Sequence, residues 1–161
     1  MYIDPWHGVD LDERLREDLT RELHVYRRIG HHVVVLPARD VPLNIALTVA
    51  VSPGQLREHV SAELHDVLGK NILAGGGKGF FHPDHLTFGE PIYLSRLVAA
   101  AQAVPGVLSV EVTRLCRLFH QPENEIEEGK LPIDPFEIAR LDNDPDHPEW
   151  GKLTLTITGG R

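Results

Sequence analysis

The sequence predicts a single α+β domain, with helices packed on one face of a mainly antiparallel or mixed sheet. Three observations carry this. Leu43, Ile45, Leu47, Val49 and Val51 alternate with Asn44, Ala46, Thr48 and Ala50, which is a strand with one strongly apolar face and one small, polar face. Leu94, Leu97, Val98 and Ala101 recur at helical spacing, and a Pro105-Gly106 step then switches the pattern to alternation through Leu108, Val110 and Val112. Near the C-terminus Leu153, Leu155 and Ile157 alternate with Thr154, Thr156 and Thr158.

The remaining elements follow in chain order. Residues 1–9 read as a lead-in that is either loosely ordered or docked by Trp6, and residues 10–161 as the domain. Asp10 with Glu13 resembles a capping box, so a helix starts there, with Leu11, Leu15, Leu19, Leu23 and Tyr26 as its buried stripe and Gly30 as its cap. Val33, Val34 and Val35 form a short β-rich run broken by Pro37. Residues 10–38 can also be read as an appended piece of a neighbouring module. Ser52, Pro53 and Gln55 are placed to cap a second helix carrying Leu56, Val60, Leu64 and Val67 or Leu68 inward. Asn71 to Pro91 is a long connection with three consecutive glycines, of a length usually reserved for function or interaction. Leu131 to Leu141 is expected as a kinked edge strand.

Bulk properties exclude several classes. The net charge is −8 and no basic patch interrupts the acids, which argues against nucleic acid as a partner. One cysteine, Cys116, allows no internal disulfide and suits a small core hydrophobe. No apolar run approaches the ~18 residues of a membrane span, and the N-terminus lacks the features of a signal peptide, so the expected address is cytoplasmic.

No catalytic constellation stands out, and no cofactor is expected. His82, Asp84 and His85 put two imidazoles and a carboxylate in the glycine-rich connection, which makes a metal-dependent enzyme one alternative. A small ligand-binding regulatory module is another. Asp142-Asn143-Asp144-Pro145-Asp146 lacks the glycine and glutamate of a calcium loop and reads as a turn. Gly75-Gly76-Gly77-Lys78-Gly79 fails the phosphate-loop pattern, because Gly79 stands where Ser or Thr is required. It reads better as a hinge.

Several stretches together resemble one family. They are RDVPLNIALTV (Arg39–Val49), GFFHPD (Gly79–Asp84), TFGEPIYLSRL (Thr87–Leu97), AVPGV (Ala103–Val107) and the run from Leu131 to Asp144. In this order they are similar to the C-terminal region of bacterial baseplate assembly proteins, the baseplate J-like wedge family of contractile tails and contractile injection systems. The resemblance covers roughly residues 10–161. It implies a structural subunit of the baseplate wedge and no carried-over catalytic residue. It also implies a hetero-oligomeric assembly with a second wedge protein, the hub and sheath-proximal proteins, formed in the cytoplasm as a phage-tail-like particle. Family members are longer, so the chain is expected to correspond to the C-terminal part of one. The connection bearing Phe80, Phe81, His82, Phe88 and Tyr93 is the first candidate contact surface, and the acidic loop Pro122 to Glu128 the second. Alanine at Phe80, Phe81 and Phe88 is expected to weaken assembly and leave the fold intact.

Overall fold

A computed structural model of the chain describes residues 1–3 and 11–161, so the Asp10 cap and the Trp6 lead-in lie outside the described residues. The chain divides into two compact units, Met1–Arg39 and Asp40–Arg161.

The first unit holds β1 (Tyr2–Ile3), α1 (Glu13–Tyr26) and β2 (Leu36–Pro37). Asp12 caps α1, its carboxylate accepting from the Leu15 amide at 2.7 Å. The expected inward stripe is not buried: α1 has no buried residue, Leu19 and Leu23 are half-covered, Leu15 is exposed, and Tyr26 is 83% exposed. Only Leu36–Pro37 of the valine-rich run becomes a strand, pairing in parallel with Tyr2–Ile3. Pro37 therefore ends a strand pairing where a break before it was expected. The helix ends at Tyr26, four residues ahead of Gly30.

The second unit is an α+β fold built on β3 (Arg39–Val51). Its alternation is realised in full: Val41, Leu43, Ile45, Leu47, Val49 and Val51 are buried, and the residues between Val41 and Val51 are half-covered. On one side β3 pairs antiparallel with β5 (Val107–Arg117), and on the other it pairs in parallel with β8 (Lys152–Gly159); β7 (Glu137–Arg140) also joins β3. The sheet is thus mixed. Helices α2 (Arg57–Leu68) and α3 (Leu94–Gln102) pack on each other and on the apolar face, bringing Val60, Leu64, Leu68, Leu97 and Ala101 into the core. A separate ribbon pairs β4 (Ile92–Tyr93) with β6 (Lys130–Leu131). Among the described residues no helix is long and apolar enough to cross a membrane.

Three local expectations are corrected. α2 starts at Arg57 with Leu56 as its uncapped N-cap, because Gly54 adopts φ +97 and makes Ser52–Gln55 a turn in which the Gln55 amide donates to the Ser52 carbonyl. Leu108 faces solvent at 62% exposure, because register shifts interrupt the β3–β5 ladder, one of them opposite Ala50–Val51. The Leu131–Leu141 run is two short strands in two different sheets, not one kinked edge strand. The α3–Pro105-Gly106–β5 step forms as expected. Gly106 adopts φ +93 while its carbonyl accepts from the Ser52 amide at 2.8 Å, and a Cβ there would lie 2.9 Å from Gln55 Cγ.

Candidate functional site

The long connection after α2 is stapled to the end of that helix by its backbone. The Phe80 amide donates to the Val67 carbonyl at 2.7 Å, Phe81 to Gly69 at 3.1 Å, and Gly79 to Asn71 at 2.9 Å. Gly79 permits this approach, since a Cβ would collide with the Gly69 carbonyl and lie 2.9 Å from that of Asp66. The three glycines sit at the tip of a small hairpin closed by the Ile72–Lys78 bridge and by the Leu73 amide on the Gly77 carbonyl at 2.7 Å.

This geometry sorts the five candidate contact residues. Phe81 is 3% exposed and belongs to the core, with Phe80 packed edge-to-face on it at 4.9 Å between ring centroids. His82 is 8% exposed, and Phe80 and Phe88 are half-buried. Tyr93, at the start of α3, is the most open of the five at 42%. The expectation that Phe81 can be removed with the fold intact is therefore corrected: a ring this deep is a packing element, held inward by the two backbone bonds around it.

The histidines of the same segment are committed to local work. His82 Nδ1 accepts from the Asp84 amide at 3.2 Å. His85 Nδ1 donates to the Gly79 carbonyl at 2.9 Å, and the Asp84 carboxylate accepts from Lys78 Nζ at 2.6 Å. The two imidazole centroids are 6.2 Å apart at a steep angle. Among the described residues, no group of three or more His, Cys, Asp or Glu side chains is arranged to hold a metal ion.

The densest polar cluster lies where β7 leaves the sheet, and it has no local sequence signal. The Asp142 side chain, 7% exposed, accepts from Arg140 Nε at 3.1 Å and Nη2 at 2.9 Å, and from Lys70 Nζ at 2.7 Å. Burial alone would push this carboxyl up, but the Arg140 and Lys70 hydrogen bonds outweigh it and hold it below its ordinary range. Arg140 also donates to Asp40 at 2.7 Å and lies 4.4 Å from the centroid of Trp150, whose ring stacks on His147 at 3.8 Å. Asn143, at φ +49, accepts the Leu153 amide at 2.9 Å and so ties the following loop to β8. A groove of about 300 Å³ beside this cluster is lined by His65, Lys70, Asn71, Asp142 and Asn143 among others. Two carboxylates, Asp40 and Asp142, pair with two cations, Arg140 and Lys70, and these bonds tie the loop to β7 and to the residue after α2 and Gly69. The same bonds occupy Asp142, and Asp144 accepts from the Asp146 amide at 2.9 Å, consistent with a structured turn.

Cys116 is 1% exposed, with burial and the nearby Glu125 pushing its thiol up. The acidic loop is partly anchored: Ile126 packs on the core, while Glu123, Glu127 and Glu128 are exposed. Beside it stands a residue the sequence did not single out. Phe119 is 83% exposed at φ +66. Profiles of known protein families give no match to this chain, and no curated protein matches it either.

Proposed function

We propose that this chain is a structural component of the baseplate wedge of a phage-tail-like contractile injection system, assembling through protein–protein contacts. The family resemblance of the five sequence stretches supplies the wedge. The observation that carries assembly is α1, a 14-residue helix with a row of Leu15, Leu19 and Leu23 and no buried residue. Isolated helices of this length are marginal in water, since most helical stability in proteins comes from packing an apolar face. Leu15 is 37% exposed and Leu19 and Leu23 are partly covered, so the row stops short of core burial, and a neighbouring subunit would complete its cover.

The test is co-purification of the chain with the other baseplate proteins of its own locus, with any complex sized by light scattering. A complex of defined stoichiometry supports the proposal. A monomer that binds none of them overturns it.

A further inference from the structure

Phe119 occupies a backbone conformation that a bulky aromatic rarely adopts, and it does so in solvent, at φ +66 and 83% exposure. The turn is fixed from both sides. The His120 amide donates to the Arg117 carbonyl at 3.2 Å and the Leu118 amide to the Pro42 carbonyl at 2.7 Å. Arg117 in turn donates to the Pro132 carbonyl at 3.3 Å and to the buried Glu137 carboxylate at 2.7 Å. A rigidly presented aromatic loses little conformational freedom on binding, which is why such residues anchor interfaces.

The surroundings select the occupant. Between Arg117 and Lys130 the chain carries Glu123, Glu125, Glu127 and Glu128 and no Lys or Arg. We propose that Phe119, with the exposed Glu123, Glu127 and Glu128 that follow it in the chain, docks a partner protein that presents an apolar pocket rimmed by Lys or Arg. A second copy would bring the same acidic loop and the same net charge of −8 against it. A basic rim instead complements these carboxylates and leaves the pocket for the ring. This inference rests on the assembly proposal and names the chemistry of one neighbour.

The experiment selects a displayed library of random dodecapeptides on the full chain, with no baseplate protein present. The expected binders combine Lys or Arg with aromatic or aliphatic residues and weaken as salt rises. They should lose about ten-fold or more in affinity for Phe119→Gly, the cost of truncating a hot-spot aromatic, and keep their affinity for Phe119→Tyr. Phe119→Gly should melt at or above the parent temperature, because glycine accepts the left-handed backbone. Binders without basic residues, binders indifferent to Phe119→Gly, or a library that yields no binder would overturn the inference. Failure here leaves the wedge proposal to its own co-purification, and failure of that co-purification leaves the peptide result standing.

Discussion

Replacing Phe81 by alanine separates a packing role from a contact role for the long connection. A phenylalanine ring buries about 150–250 Å², and at about 25 cal/mol per Å² its burial is worth ~4–6 kcal/mol as an upper estimate. Measured Phe→Ala losses in cores run about 3–5 kcal/mol. At 3% exposure Phe81 belongs in that range. The unit Asp40–Arg161 has about 120 residues, so its unfolding entropy is about 0.25 kcal/mol/K and the melting temperature should fall by about 12–20 °C. Tyr93→Ala, at a site 42% exposed, should stay within about 4 °C. The assay is thermal unfolding followed by near-ultraviolet circular dichroism, backed by urea titration with an unchanged slope. If Phe81→Ala melts within about 4 °C of the parent while losing its assembly partners, the ring is a contact residue and the packing argument fails.

Two further outcomes follow from the polar clusters. Arg117→Met leaves Glu137 buried without its 2.7 Å partner and should cost about 2–3 kcal/mol by urea titration, a range set low because the Arg117 side chain is 28% exposed; Glu137→Gln should cost less. Asp142 has a folded carboxyl held below its unfolded value, so its contribution is present above about pH 4 and is lost as pH falls through the depressed folded value. Stability measured against pH should therefore fall less steeply at the acid end in Asp142→Asn than in the parent, and parallel curves would contradict the assignment.

What the sequence made legible was what period alone encodes. The alternation of β3 and of β8, the α3 stripe and the Pro105-Gly106 stop each depend on residues within a few positions of one another, and each appears in the fold. Burial on opposite faces of a strand is a local consequence of geometry. The errors arose where a distant segment decides. Gly54 reads as a permissive helix residue after Pro53, yet the chain turns there, and the Arg57 amide and Gln55 carbonyl bond instead to the backbone of Arg161. Leu108 follows the alternation of its strand, but slips in the β3–β5 ladder turn it outward. The candidate site was legible as a segment and not as a surface. Aromatic residues in a long connection announce that it is anchored somewhere, and only backbone bonds to Val67 and Gly69 reveal that Phe81 points inward. Lys70 and Asp142 stand 72 positions apart, and no spacing rule connects them. Phe119 left no signal at all, because nothing in the sequence marks a phenylalanine for a left-handed turn.

The division of the chain at Arg39 allows the assembly proposal to be tested apart from the fold. Among the described residues the buried hydrophobic core cluster runs from Val41 to Leu153, so the unit Asp40–Arg161 has an apolar core of its own. A fragment of residues 40–161 should therefore unfold cooperatively, within about 4 °C of the full chain, since that shift corresponds to only ~1 kcal/mol in a unit of this size. If the leucine row of α1 is an assembly contact, the same fragment should lose a subunit from the complex, and Leu19→Asp in the full chain should reproduce that loss. A fragment that fails to melt cooperatively would show that the first unit supports the second. A fragment that folds and still assembles with unchanged stoichiometry would remove α1 from the interface.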